Sequence, residues 1–158
     1  MLRYAVTISI LLCASASGAL AQTGGAAAPG PYVVTPVKNG AGVVAGCQAV
    51  NEDAGIGLLA VGSSVLLSVQ SSTFPFGETD KVEGTWAVDG SAPVAFTSDG
   101  GGENMVGIMV PNTAQAVGAL TSGKTLQVVA KGIKANFNLA GMSDAFSGLL
   151  SCMSAASK

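Results

Sequence analysis

The apolar positions of this sequence fall in short runs separated by turn residues, and the regular pattern begins near Tyr32. This spacing is typical of an all-β sandwich or barrel. The runs predict strands at residues 32–35, 42–50, 57–61, 65–72, 82–88, 94–97, 105–110, 125–130 and 135–139. Asp89 and Gly90 follow the run that ends at Val88, and this dipeptide predicts a turn, with Val94 starting the return strand. The pattern therefore predicts a mostly β fold, a small antiparallel β-sandwich.

Two stretches depart from the β pattern and predict helices. Asn112 and Gln115 have the spacing of a capping box, which predicts a short internal helix that ends at Gly123. Near the C-terminus, residues 143–153 place their apolar side chains on one helical stripe, with Ser143 as the N-cap. We therefore expect the sandwich to carry one short internal helix and a C-terminal helix.

The N-terminus has the three parts of an export signal. Arg3 supplies a positive charge, an apolar stretch follows, and residues 19–21 match the A-x-A pattern of signal peptidase. The apolar stretch is shorter than the ~20 residues that a membrane-spanning helix needs. A lipoprotein acylated on Cys13 is the alternative, which the bulky Leu12 disfavours. We expect residues 1–21 to be a cleavable signal peptide and the mature chain to be periplasmic or secreted, with no membrane span.

Composition bounds the remainder of the chain. Residues 22–31 are Gly, Ala and Pro apart from an initial Gln-Thr, which predicts a flexible linker. Residues 32–158 then make a single β-rich domain. Without the signal peptide the chain keeps six lysines and no arginine against nine acidic residues. Since this balance offers no basic surface, we expect no binding to nucleic acid.

The cysteines suggest a disulfide. Removal of residues 1–21 takes away Cys13 and leaves Cys47 and Cys152, which have one obvious pairing in an exported protein. In the chain-entropy model, closing a loop of this length stabilises the fold by roughly 4–5 kcal/mol. Two buried free thiols are the alternative. A zinc site lacks ligands, because the chain has no histidine to join the two cysteines.

A phosphate-binding pattern occurs in the second half of the chain. Residues 118–125 match G-x-x-x-x-G-K-[ST]. A P-loop needs a strand before the loop and a helix after it, because the helix N-terminus supplies the amides that hold phosphate. The predicted order is the reverse, with a helix before Gly123 and a strand from Thr125. We therefore interpret this segment as a turn between helix and strand, and we expect no cofactor.

The familiar catalytic patterns are missing. Because the chain has no histidine, neither a Ser-His-Asp triad nor a Cys-His pair can form. The acidic residues fall mostly in predicted loops, where they read as solvated turn residues. Asp99 and Glu103 flank a glycine run and are the residues we consider for calcium. We expect no enzymatic activity, and an exported enzyme that uses carboxylates or a bound metal is the alternative.

Three aromatic residues are the candidates for binding. Trp86 lies on a predicted strand, where core packing and a ligand-facing position are both open. Phe74 and Phe76 flank Pro75 in a predicted loop. Such a loop either caps one end of the sandwich or presents an apolar patch to a partner.

The C-terminal half resembles a module of small periplasmic proteins from Gram-negative bacteria. The residues concerned are WAVDG at 86–90, the helix–Gly-Lys–strand passage, FNLAG at 137–141, and then Ala145, Leu149 and Cys152. They resemble the invasion-associated locus B family and accessory lipoproteins of type VI secretion. The resemblance implies a β-sandwich with a terminal helix and a non-enzymatic role at the cell envelope.

Taken together, these features indicate an exported, non-enzymatic binding or accessory protein of the bacterial cell envelope. Its expected partner is another envelope protein. A second alternative, besides the enzyme, is a structural subunit that self-assembles through an exposed strand edge.

Overall fold

The computed structural model describes residues 31–99 and 102–156. Within these ranges the elements are β1 (Val33–Lys38), β2 (Val44–Asn51), β3 (Ile56–Val61), β4 (Ser64–Gln70), β5 (Val82–Val88), β6 (Val94–Ser98), β7 (Met105–Val110), α1 (Ala114–Ser122), β8 (Thr125–Ala130), β9 (Ile133–Asn138) and α2 (Met142–Ala156). The predicted signal peptide, residues 1–21, and the linker up to residue 30 lie outside the described residues. Neither α1 nor α2 is long and apolar enough to cross a membrane.

The strands form two antiparallel sheets. The first has five strands in the order β1-β2-β3-β4-β7, and the second has four in the order β6-β5-β8-β9. Every neighbouring pair is antiparallel. The predicted fold class is therefore confirmed: the chain is mostly β, with one short internal helix and a C-terminal helix.

The inner faces of the two sheets and the helices share one apolar core. Aliphatic residues dominate it, since alternate positions along each strand turn inward and are mostly Val, Leu, Ile or Ala. Burial of these side chains is the main source of stability, at roughly 1.5–3 kcal/mol for each large one. The largest fully buried side chains are Phe74, Ile56, Leu58, Leu67, Ile108, Leu120, Leu126, Leu139 and Met142.

Helix α2 packs against β1 and β2 and is joined covalently to the sheet. Cys152 of α2 forms a disulfide with Cys47 of β2, with Cα atoms 6.2 Å apart. The contact is close because α2 presents Gly148 to β1. A Cβ added there would come within 2.8 Å of Val34 Cγ2. The glycine thus sets how near the helix lies to the sheet.

Both helices start at a different residue from the one the sequence suggested. Thr113, not Asn112, is the N-cap of α1, because its extended backbone lets its Oγ1 accept a hydrogen bond from the Ala116 amide at 3.2 Å. Helix α2 begins at Met142, so Ser143 lies inside its first turn. The left-handed backbone of Gly141, with φ of 80°, turns the chain into α2 earlier than a serine cap would.

Candidate interaction surface

The outer face of the five-stranded sheet is apolar. Because side chains alternate along a strand and cross-strand partners share a face, the strand register identifies the outward positions. The large apolar side chains at these positions are Val33, Val37, Val50, Leu59, Val61, Leu66, Met105 and Met109. Val33 is 67 % exposed, Met109 56 % and Val61 48 %. Apart from Lys38, which follows the register shift after Val37 and pairs with Val44, none of the outward positions described on this sheet carries a charge.

The outer face of the four-stranded sheet is different. Its outward positions include Glu83, Thr85, Thr97, Thr125, Gln127, Lys134, Asn136 and Asn138. Val129 is the large apolar side chain among them. Solvent-facing sheet surfaces are ordinarily polar, as this one is. The contrast within one molecule sets the outer face of the five-stranded sheet apart as an exposed apolar surface.

The apolar outer face has a ridge and a groove that run across the strands. Leu59, Leu66 and Met109 are cross-strand neighbours on β3, β4 and β7 and form the ridge. Two residues further along the same strands, Gly57, Ser68 and Gly107 are also neighbours. Gly57 and Ser68 form the groove, whereas the Leu66 side chain lies against Gly107, where an added Cβ would meet Leu66 Cδ1 at 3.4 Å. A Cβ on Gly57 would come within 2.5 Å of Ser68 Oγ, so a larger residue there would force the Ser68 hydroxyl to move.

Two adjoining clefts follow this groove. One, of ≈ 620 Å³, is lined by residues that include Val50, Gly57 and Ser68. The other, of ≈ 480 Å³, continues to Val33 at the sheet edge. Glu52 lines both clefts, from the turn that follows β2. The groove is therefore open from Val33 to Ser68 and has the acidic side chains of Glu52 and Asp53 at its rim.

A smaller apolar recess lies between the two helices and the β3–β4 turn. Its volume is ≈ 280 Å³, and its lining includes Val65, Val117 and Leu149. Leu150 beside it is 71 % exposed. The recess covers one corner of the molecule, whereas the outer face spans a whole sheet.

The three aromatic candidates lie in the core. Trp86 is 3 % exposed, Phe74 0 % and Phe76 5 %. The rings of Phe74 and Phe76 stack with centroids 5.5 Å apart, and Phe137 lies 6.4 Å from Phe74. The loop that carries Phe74 and Phe76 therefore caps the end of the sandwich. Neither these two rings nor that of Trp86 presents an apolar patch to a partner.

The calcium candidates flank a segment that is partly outside the described residues. Asp99 and Glu103 are both exposed, and residues 100–101 between them are not described. In the part of the chain that the structure describes, no three His, Cys, Asp or Glu side chains are grouped so that they could hold a metal ion. The sequence favours no metal here, since the glycines suit a wide hairpin loop, and the described residues do not test calcium binding by this loop.

The P-loop-like segment has its amides occupied by a carboxylate of the chain itself. Asp89 Oδ1 accepts a hydrogen bond from the Thr125 amide at 2.8 Å, and Oδ2 accepts one from the Lys124 amide at 3.0 Å. Asp89 and Gly90 both have positive φ, 49° and 75°, as the predicted turn requires. Because α1 precedes this segment and β8 follows it, the segment is a helix-to-strand turn held by Asp89.

Tyr32 has an unusual buried hydroxyl. It is 6 % exposed, and its hydroxyl has no hydrogen-bond partner among the described residues. Burial raises the pKa of Tyr32 to about 12, while the nearby Asn51 side chain acts in the opposite direction. Since the phenol must stay neutral in this position, Tyr32 is a packing residue with a titratable group.

Sequence reasoning missed the apolar outer face. Leu58-Leu59 and Leu66-Leu67 are adjacent apolar pairs, and such pairs hide which residue points outward. The available signal was the unbroken apolar character of residues 56–61 and 65–67, which indicates a strand covered on both faces.

No family model and no curated protein sequence matches this chain. Among solved structures, the crystal structure of invasion associated protein B from Bartonella henselae is similar to it. The similarity covers 78 % of this chain and 86 % of that chain, with 22 % identity and a TM-score of 0.39.

Proposed function

We propose that this chain is an exported, non-enzymatic accessory protein of the bacterial cell envelope, and that it acts through protein contacts made by the outer face of its five-stranded sheet. The observation that carries the proposal is the large apolar outer face, set against the polar outer face of the other sheet. Covering such a face with another protein removes apolar area from water, which favours association.

Two further features support export and a binding role. The N-terminal pattern of charge, apolar stretch and A-x-A fits a signal peptide, and a disulfide suits an oxidising compartment. The acids that line the clefts, Glu52 and Asp53, come from one turn. A carboxylate enzyme instead needs acids on two sides of a bound substrate.

Site-specific photo-crosslinking tests this proposal in the organism that encodes the protein. A benzoylphenylalanine is placed at Leu66 on the outer face, and in a matched chain at Gln127 on the other sheet. Both positions are half-buried and outward, so the probe meets a similar environment. We expect a protein adduct from position 66 in an envelope fraction and none from position 127.

An absence of adducts from position 66, or adducts of equal yield from both positions, would contradict the proposed role of this face. Recovery of the chain in the cytoplasm with residues 1–21 still attached would contradict export.

A further inference from the structure

We infer that the occupant of the apolar outer face is a second copy of this chain, stacked face to face about a twofold axis that lies between the ridge and the groove. This inference rests on the proposed function, because it names the partner of the same surface. The two outer faces would then form the inside of a four-layer assembly of sheets.

The charge of the face favours a second copy. In a twofold interface each surface meets itself, so a charge near the axis meets the same charge on the other copy. A face used by a different protein can carry charges that the partner complements. Apart from Lys38 at the register shift of β1, the outward positions of the five-stranded sheet are uncharged, which favours stacking the surface on itself.

The shape of the face is self-complementary, because the ridge of one copy can pack into the groove of the other. The ridge and the groove are neighbouring parallel rows, about 7 Å apart because two residues separate them along each strand. A twofold axis parallel to the rows and midway between them places each ridge over the groove of the other copy. Leu59, Leu66 and Met109 then lie over Gly57, Ser68 and Gly107 of the second copy. Large side chains meet small ones on β3 and β4, whereas on β7 Met109 meets the Leu66 side chain that lies against Gly107 of the second copy.

The remaining part of the face follows the same rule. On β1 and β2 the groove row contains Val33 and Val50, and the ridge row contains Thr35 and Gln48. The same axis places each valine over the polar, neutral residue of the other copy. Glu52 lies beyond the groove row, so the axis sets it opposite the Val37 end of the second copy and not opposite that copy's Glu52.

The size of the face indicates a reversible dimer. Five strands at about 4.8 Å spacing span about 24 Å, and the outward rows extend about 20 Å along the strands. This footprint of about 480 Å² per copy lies below the ~800 Å² per partner of a standard stable interface. We therefore expect dimerisation that depends on protein concentration.

Sedimentation velocity of the oxidised mature chain, residues 22–158, tests the inference across a concentration series. Three single variants accompany the wild type: Met109→Lys and Met109→Glu on the ridge, and Val129→Glu on the outer face of the other sheet. Met109 is 56 % exposed on an edge strand, so the folded monomer should accept a charge there. Circular dichroism checks that each variant is folded.

We expect the wild type and Val129→Glu to shift from monomer to dimer with concentration. Either Met109 variant alone should weaken dimerisation by about tenfold or more, since two like charges then approach across the axis. An equimolar mixture of Met109→Lys and Met109→Glu should recover the dimer, because the two charges are then opposite. Val33→Lys, at the other edge of the face, should also weaken it.

A wild type that stays monomeric at every concentration overturns the inference, as does dimerisation that the folded Met109 variants leave unchanged. Failure of the mixture to recover dimer overturns the twofold arrangement. The mass of the adduct from position 66 separates this inference from the proposed function. An adduct with a different protein leaves the proposed function standing and rejects the second copy, whereas an adduct of twice the chain mass supports both.

Discussion

A single carboxylate, that of Asp89, ties the β5–β6 turn to the start of β8. It accepts hydrogen bonds from the amides of Lys124 and Thr125, and it does so from a residue with a left-handed backbone. Hydrogen bonds to a charged acceptor are among the stronger ones, although water competes at this exposed position. The turn therefore depends on the identity of residue 89.

We predict that Asp89→Ala lowers the free energy of unfolding by about 1–2 kcal/mol, because two amides lose their acceptor and alanine tolerates positive φ poorly. Urea denaturation followed by tryptophan fluorescence measures the change. Asp89→Asn is the control: it keeps one acceptor oxygen and accepts the left-handed backbone, so it should lose less. Equal stability of the alanine variant and the wild type would refute this role.

The buried phenol of Tyr32 leads to a second prediction, on how stability depends on pH. Burial raises its pKa to about 12 in the folded state, from 10.0. The unfolded chain therefore loses this proton first as pH rises, and folding is weakened. The contribution is fully present below about pH 10 and is lost progressively as pH rises towards about 12.

Absorbance at 295 nm reports this titration cleanly, because Tyr32 is the one tyrosine in residues 22–158. We expect the folded protein to ionise well above an unfolded control. Tyr32→Phe should remove the corresponding loss of stability in alkaline denaturation. An ordinary phenol titration in the folded protein would contradict the burial.

Among the elements, helix α2 depends most on one small residue. Gly148 lies against Val34, and a Cβ at this position would force the helix away from β1. Gly118 in α1 offers a matched comparison, since a Cβ there meets nothing within 4 Å. The two glycines therefore separate the effect of packing from that of helix propensity.

We predict opposite effects for the same substitution at these two sites. Gly148→Ala should lower the free energy of unfolding by about 1–3 kcal/mol through overpacking. Gly118→Ala should raise it by up to about 1 kcal/mol, because alanine favours the helix. Thermal melts of both variants measure the difference, and a stabilised Gly148→Ala would show that α2 can move without cost.

The sequence predicts the elements well and their outward faces poorly. The hairpin at Asp89-Gly90 follows from its local turn chemistry, and α2 follows from a broad apolar stripe. The predicted start of α1 is wrong because Asn112 and Thr113 are both good N-cap residues. The backbone conformation, extended at Thr113, decides which of them caps the helix. The ridge at Leu59 and Leu66 depends on strand register, which no local pattern specifies when neighbouring positions are all apolar.

At the scale of the whole molecule, the disulfide joins an early strand to the last helix across a sequence separation of 105 residues. We predict that the double variant Cys47→Ala/Cys152→Ala loses about 2–5 kcal/mol of stability in guanidinium denaturation. Reductant should bring the wild type to a similar stability and leave the double variant unchanged. If reductant leaves the free energy of unfolding of the wild type unchanged, the disulfide is not part of the folded protein.

The candidate surface is likewise a property of the whole molecule. Each of its side chains is ordinary alone, and scattered exposed valines or methionines need no explanation. They form a surface only because the four strand pairings of the five-stranded sheet place eight large apolar side chains on its outer face. Long-range register of this kind is set by the complete fold, and a single sequence does not display it.

The attachment of α2 to β2 also orders the events of biosynthesis. Cys47 emerges 105 residues before Cys152, so β2 waits several seconds for its covalent partner at about 5–20 residues per second. During that interval the side of β1 and β2 that α2 later covers has no helix to shield it. The first hairpin therefore leaves its α2-facing side uncovered throughout this interval, and the domain closes only when its final helix arrives.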